Sequence, residues 1–103
     1  MAEITVDEIA SWYRSKENIL SECGITLAGI EERKVYLHSA WADLDTSTKI
    51  ARIIGWISGE FDFEILDRVN AETIYFRHES VSEIGSGELE LAFKEFMEHL
   101  QQP

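Results

Sequence analysis

Trp56-Ile57-Ser58-Gly59-Glu60-Phe61-Asp62-Phe63-Glu64-Ile65-Leu66-Asp67 is the stretch on which the fold turns. Phe61, Phe63 and Ile65 alternate with Asp62 and Glu64, the period of a half-buried strand. A second run, Ile50 to Ile57, ends at Ser58-Gly59. That pair reads as the two-residue turn of a type I′ or II′ hairpin. Working outward, Val35 to Leu44 and Glu72 to His78 read as two more strands. They connect through the polar loops Asp45 to Thr48 and Arg68 to Ala71. A weaker pattern over Thr26 to Glu31 adds a fifth strand at one edge.

Three hairpins fix an expected register. The Ser58-Gly59 turn pairs Trp56 with Phe61, Ile54 with Phe63 and Arg52 with Ile65. The loop at 68–71 pairs Phe61 with His78, Phe63 with Phe76 and Ile65 with Ile74. The loop at 45–48 pairs Leu37 with Trp56, Ser39 with Ile54 and Trp41 with Arg52. A one-residue slip would turn every side chain over, so agreement among hairpins carries weight. The expected core face holds Val35, Leu37, Trp41, Ile54, Trp56, Phe61, Phe63, Ile65, Ile74 and Phe76. The expected open face holds Tyr36, His38, Ala40, Ala42 and Leu44, then Ala51, Ile53, Gly55 and Ile57. Asp62, Glu64, Leu66, Thr73, Tyr75 and Arg77 complete it. That face is poor in lysine and rich in small or apolar residues, a pattern that marks interaction sites.

Helices flank the strands. Thr5 followed by Glu8 is a capping box: the hydroxyl takes a free backbone N–H and the carboxylate reaches back. Ile9, Trp12, Tyr13, Lys16, Ile19, Leu20 and Cys23 then recur at helical spacing, and Gly24 is a suitable left-handed end. At the other end Ser86 caps a helix whose apolar face is Leu89, Ala92, Phe93, Phe96, Met97 and Leu100. Glu88 and Glu90 suit its positive end. The fold class is α+β: an antiparallel β-meander of four or five strands, with N-terminal and C-terminal helices packed on one face.

Residues 1–103 have the length of one domain and give no linker, repeat or low-complexity tract. Such a chain buries about two-thirds of its unfolded surface, enough for a core without staples. No apolar run reaches the roughly 20 residues of a membrane span, and the first residues lack the pattern of a signal peptide. Cys23 is the one cysteine, so no internal disulfide forms and a cytoplasmic location is expected. Twenty acidic residues against nine basic ones give a net charge of −11. Nucleic acids and anionic membranes are therefore disfavoured as partners, and a basic protein surface is favoured.

Catalytic, cofactor and metal readings find little to rest on. Asp62 and Glu64 project from one strand face, as paired carboxylates do in acid–base chemistry. The expected register sets Arg77 opposite Asp62, and an ion pair accounts for that residue without catalysis. His38, His78 and His99 lack metal-ligand spacing, and His78 reads as a hydrogen-bonded histidine. Gly85-Ser86-Gly87 has no lysine and reads as a helix entry rather than a phosphate loop. Trp41 and Arg52 suit a cation–π pair. No catalytic residue, cofactor or metal is expected.

The hairpin from Trp56 to Asp67, with Ala40-Trp41-Ala42-Asp43-Leu44-Asp45 before it and Tyr75-Phe76-Arg77-His78-Glu79 after it, resembles the TriTu immunity proteins. Trp56, Ser58, Gly59, Asp62, Glu64 and Asp67 are the matched positions, and the likeness extends as pattern over residues 35–100. The N-terminal helix matches in type only. The resemblance implies a partner encoded beside this chain, an Rhs-type NAD-dependent ADP-ribosyltransferase toxin that modifies elongation factor Tu. It implies inhibition by binding, at the toxin's NAD cleft or its target-docking surface, and it carries over no catalytic position. The expected register supplies candidate contacts: Tyr36, His38, Asp62, Glu64, Tyr75 and Arg77 on the open face, with Asp43 and Asp45 at its edge. Unbound, the chain is expected to be a monomer or weak dimer. The alternative is a small acidic secretion chaperone, which would hold an extended effector segment instead of a folded toxin.

Overall fold

A computed structural model describes residues 4–36 and 38–102. Thr5 begins the fold as its sequence suggests. Its hydroxyl accepts the Glu8 backbone N–H at 3.1 Å, and the Glu8 carboxylate accepts the Thr5 N–H at 3.0 Å. Helix α1, Val6–Ser15, follows from this capping box. The expected continuous helix breaks at Lys16, where a short α2, Glu17–Glu22, starts anew. Gly24 then adopts φ +75 and turns the chain into the sheet.

Five strands follow as an antiparallel meander in the order β1-β2-β3-β4-β5. They are β1 Thr26–Arg33, β2 Ser39–Asp45, β3 Lys49–Trp56, β4 Glu60–Asp67 and β5 Thr73–Ser80, and the edge strand β1 is fully formed. Helix α3, Gly87–Gln101, closes the fold; Ser86 caps it by accepting the Leu89 N–H at 3.2 Å. All helices lie on one side of the sheet. Between the layers, Ile9, Trp12 and Tyr13 of α1 and Leu89, Phe93, Phe96 and Leu100 of α3 are buried with Ile53, Phe61, Phe63 and Ile65 of the sheet. Trp12 packs edge-on against Phe61 and Phe93, with ring centroids 5.8 and 5.5 Å away. Phe63 meets Phe96 at 5.4 Å. Ala40, Ala42, Ala51 and Gly55 line β2 and β3 on this side, and their small size lets the helices approach closely.

The face assignment differs from the expected one on three strands, and two local irregularities explain it. The β3–β4 connection is a three-residue loop, Ile57-Ser58-Gly59, closed by Gly59 N–H donating to Trp56 C=O at 2.9 Å. Gly59 is left-handed, at φ +94, in the turn-plus-left-handed-residue arrangement of such loops. Only glycine fits, because a Cβ there would lie 2.1 Å from the Val81 carbonyl oxygen. The extra residue sets Gly55, not Trp56, opposite Phe61, and pairs Ile53 with Phe63. Strand β3 is thereby turned over relative to β4. Strand β2 turns with it: Ser47-Thr48 is the turn, and the β2–β3 pairs, Ser39 with Trp56 and Trp41 with Ile54, shift by two residues from those expected. An even shift preserves the relative face.

The second irregularity is a bulge between β4 and β5. Leu66 pairs with Thr73 as the loop length suggested, but Ile65 pairs with Tyr75, leaving Ile74 unpaired. Beyond it β5 is also reversed. Only β4 keeps its expected faces. Ala40, Ala42, Leu44, Ala51, Ile53 and Gly55 are core residues, and Tyr75 and Arg77 also point to the helix side. Trp41, Ile54, Trp56 and Phe76 stand on the outer face. Val35, expected in the core, is 62% exposed. Leu37, also expected there, lies outside the described residues. Ile57 belongs to the loop, and Thr73 is exposed beside the bulge.

Candidate functional site: the outer face of the sheet

Alternation along β2, β3, β4 and β5 delivers a coherent outer surface. Trp41 and Ile54 face one another across β2 and β3, and Trp56 follows on β3. All three are half-buried by their neighbours alone. Phe76 is 53% exposed and Ile74 44%. Solvent-facing strands normally carry polar side chains here, so an aromatic and aliphatic cluster of this kind is informative.

Carboxylates flank Trp41, Ile54 and Trp56, and those of β4 stand between this group and Phe76 on β5. Asp43 and Asp45 project from β2, and Glu60, Asp62 and Glu64 from β4. Part of this charge is compensated internally. Arg52 Nε donates to Asp43 at 2.7 Å, and its guanidinium carbon sits 5.7 Å from the Trp41 ring centroid. This is the expected cation–π pair, reached diagonally, since Arg52 faces Asp43 and Trp41 faces Ile54. Arg68 pairs with Asp45 and donates to the Thr46 carbonyl at 2.9 and 3.1 Å. His78, not Arg77, stands opposite Asp62. Its Nδ1 lies 2.6 Å from Asp62 Oδ1, and its Nε2 lies 3.4 Å from Glu60 Oε1. The hydrogen bond to Asp62 raises the imidazole pKa above the ordinary histidine value, and both carboxylates add to the effect.

The expected contact residues divide. Asp43, Asp45, Asp62 and Glu64 share the outer face. Tyr36, at φ 55 in the β1–β2 loop, is 91% exposed at one end of it, and His38 lies beside Trp56 and Ile57. Tyr75 and Arg77 are on the opposite side. Tyr75 packs on His99 and Phe96, with centroids 4.3 and 6.4 Å away, and burial raises its phenol pKa. Arg77 pairs with Glu79 at 3.0 Å and with Glu95 of α3. Trp41, Ile54, Trp56 and Phe76, the apolar centre of the face, were expected in the core. The glycine that ends a three-residue loop is the sequence signal that could have placed Trp41, Ile54 and Trp56 outside; Phe76 follows instead from the bulge at Ile74.

The helix side presents a separate tie. Glu90 of α3 accepts from Trp12 Nε1 at 2.7 Å and from Lys16 Nζ at 2.5 Å. Burial alone would raise this carboxyl, but the bonds from Lys16 and Trp12 and the Lys16 charge outweigh it. The Glu90 pKa is lowered below the ordinary glutamate value.

A sheet with one face sealed by helices, and an outer face that sets large apolar side chains among carboxylates, has the geometry of a protein-binding platform. The family comparison defines the class of partner. The sequence profile described as Immunity protein TriTu matches residues 7–99. The chain belongs to the TriTu immunity protein family, and its partner is therefore a protein toxin. No curated protein matches it.

Proposed function

We propose that this protein neutralises a cognate antibacterial toxin by docking the outer sheet face, centred on Trp41, Ile54, Trp56 and Phe76, against the folded toxin domain. The observation that carries the reading is the set of large apolar side chains on this face: Trp41, Ile54 and Trp56 together, with Phe76 across the β4 carboxylates, on the sheet face that none of the described helices covers. Aromatic anchors ringed by polar groups dominate protein interfaces energetically. The family resemblance supports an NAD-dependent ADP-ribosyltransferase as the toxin, with elongation factor Tu as its target and the cytoplasm as the place of action. The chain acts by occupying the toxin's NAD cleft or target-docking surface and catalyses no step itself. A cleft that binds a dinucleotide pyrophosphate must supply positive charge, and a net charge of −11 complements it. Encounter is then accelerated by long-range attraction, which screening over about 8 Å weakens at physiological salt.

Ile54→Asp tests the reading, because a carboxylate at the centre of the patch must be desolvated on docking. Toxin protection should saturate near one equivalent for the parent chain. The variant should lose at least about 100-fold in affinity, comparable with loss of a hot spot. Circular dichroism should show that it remains folded. Full protection by the folded variant would refute this docking face. Protection by trace amounts, with removal of modification already made, would refute inhibition by binding.

A further inference from the structure

Trp41 and Trp56 stand diagonally across β2 and β3 on the same face, Trp41 opposite Ile54 and Trp56 opposite Ser39. Around Trp41 the chain completes a small recognition unit of its own. Arg52 lies over the ring and donates to the neighbouring Asp43. Around Trp56 the same parts recur without the arginine. A groove of about 460 Å³ runs between Tyr36, His38, Trp56, Glu60, Asp62 and His78. Two carboxylates line it, and no lysine or arginine does. Among the described residues, the cations placed over aromatic rings are Lys16 and Arg52, and neither lies over Trp56.

The carboxylates are held ready. Ser58 Oγ donates to Glu60 at 3.0 Å, and His78 reaches both Glu60 and Asp62. Even with the imidazole protonated, two carboxylates against one cation leave the groove net negative beside Trp56. A lysine ammonium would satisfy the charge and could sit over the ring, as Lys16 does over Trp12, but as a point charge without a planar fork. A guanidinium satisfies the charge, stacks flat on an indole, and donates from a planar fork to two carboxylates at once.

We propose that the Trp56 groove receives an arginine side chain of the toxin, stacked on the indole and bonded to Asp62 and Glu60. This rests on the outer face being the docking surface and names the chemistry that one end of it recognises. The chain then meets its partner as Arg52 meets Trp41 and Asp43, with the cation supplied from outside.

Two measurements test it. In the first, the isotope-labelled chain is titrated with acetyl-arginine amide and, separately, with acetyl-citrulline amide, its uncharged isostere. The Trp56 indole N–H should shift saturably with the arginine compound only, and the shift should vanish in the Glu60→Gln, Asp62→Asn double variant. Equal shifts with citrulline, or unchanged shifts in the double variant, would overturn the proposal. In the second, toxin affinity is compared among variants. The double variant and Trp56→Leu should each bind about 10- to 100-fold more weakly, the effect of truncating a desolvated charged contact. Glu98→Gln, on the exposed side of α3 and away from the docking face, should change affinity by less than about threefold. If Ile54→Asp abolishes binding while the groove variants bind as the parent does, the arginine groove is refuted and the docking face stands. If Ile54→Asp and the groove variants all bind normally, the docking face itself is refuted.

Discussion

Gly55→Ala is the most direct test of which side of β3 faces the helices. On the expected register Gly55 looked outward, and an added methyl would have been harmless. In the structure Gly55 faces the helices, with the Phe61 ring laid across it. A Cβ at Gly55 would lie 2.4 Å from Phe61 Cε2, 2.9 Å from Phe61 Cδ2 and 3.0 Å from Ile9 Cγ2. Neither neighbour can retreat freely: Phe61 and Ile9 are fully buried, and Phe61 also packs against Trp12. Overpacking of this kind costs about 1–3 kcal/mol. Alanine restricts the unfolded chain and returns about 0.4–1 kcal/mol of that. At mid-range values the net loss is about 1–2 kcal/mol. At roughly 4–8 °C per kcal/mol for a domain of this size, Tm should fall by about 4–16 °C. Thermal melts and urea titrations at constant m would measure it. Combining Gly55→Ala with Phe61→Leu should cost less than the sum of the two single changes, because the smaller side chain vacates the contested space. An unchanged or raised Tm for Gly55→Ala would refute the packing of Phe61 over Gly55.

Other expectations concern the helix side. Tyr13 Oη donates to the Ala40 carbonyl at 2.8 Å in the buried layer, so Tyr13→Phe should lose about 0.5–1.5 kcal/mol in urea unfolding. Burial raises the Tyr13 phenol far above its ordinary value of 10.0. Above that pH the unfolded chain releases a proton that the folded chain keeps, so stability should decline with alkali, and Tyr13→Phe should lose that decline. Glu90 has the opposite sign: its pKa is depressed below the ordinary 4.5, so its contribution is present above 4.5 and is lost as pH falls through the lower folded value. Its side chain is 42% exposed, so screening keeps the effect under about 1 kcal/mol, and Glu90→Gln should flatten the acid limb of a stability–pH curve by that amount.

The readable parts of this fold were those encoded locally. Thr5 with Glu8, Gly24, Ser86 and the six apolar positions of α3 all act as their spacing suggests, because capping and helical periodicity involve residues within a few positions of one another. Strand β4 was legible for the same reason, since Phe61, Asp62, Phe63, Glu64 and Ile65 alternate without ambiguity. Strands β2, β3 and β5 carry apolar residues on both faces, as in Ala40-Trp41-Ala42 and Ile53-Ile54, so alternation could not choose between them. The choice fell to loop length, where Ser58-Gly59 reads as two residues but Ile57 joins it, and to a bulge at Ile74. Both are single-residue features that invert a whole strand. Asp62 and Glu64 could be placed on the outer face and Asp43 and Asp45 only at its edge; the large apolar side chains among them could not be placed there. The register drawn from a two-residue Ser58-Gly59 turn put Trp41 and Trp56 inside, and the helices' close approach to Ala40, Ala42, Ala51 and Gly55 shows why they do not fit there.

Odd and even positions of this sheet can therefore drift apart in evolution. On β3, residues 51, 53 and 55 answer to the helices, while 52, 54 and 56 stand on the proposed docking side. A lineage pursued by a changing adversary can rewrite the second set while the first stays constant, and the two kinds of selection never contend for the same side chain. The same parity is an engineering handle. Randomising Trp41, Ile54, Trp56, Asp62 and Phe76 would vary the proposed docking face from scattered points in the sequence that share one side of the sheet, on a scaffold whose interior lies on the other side.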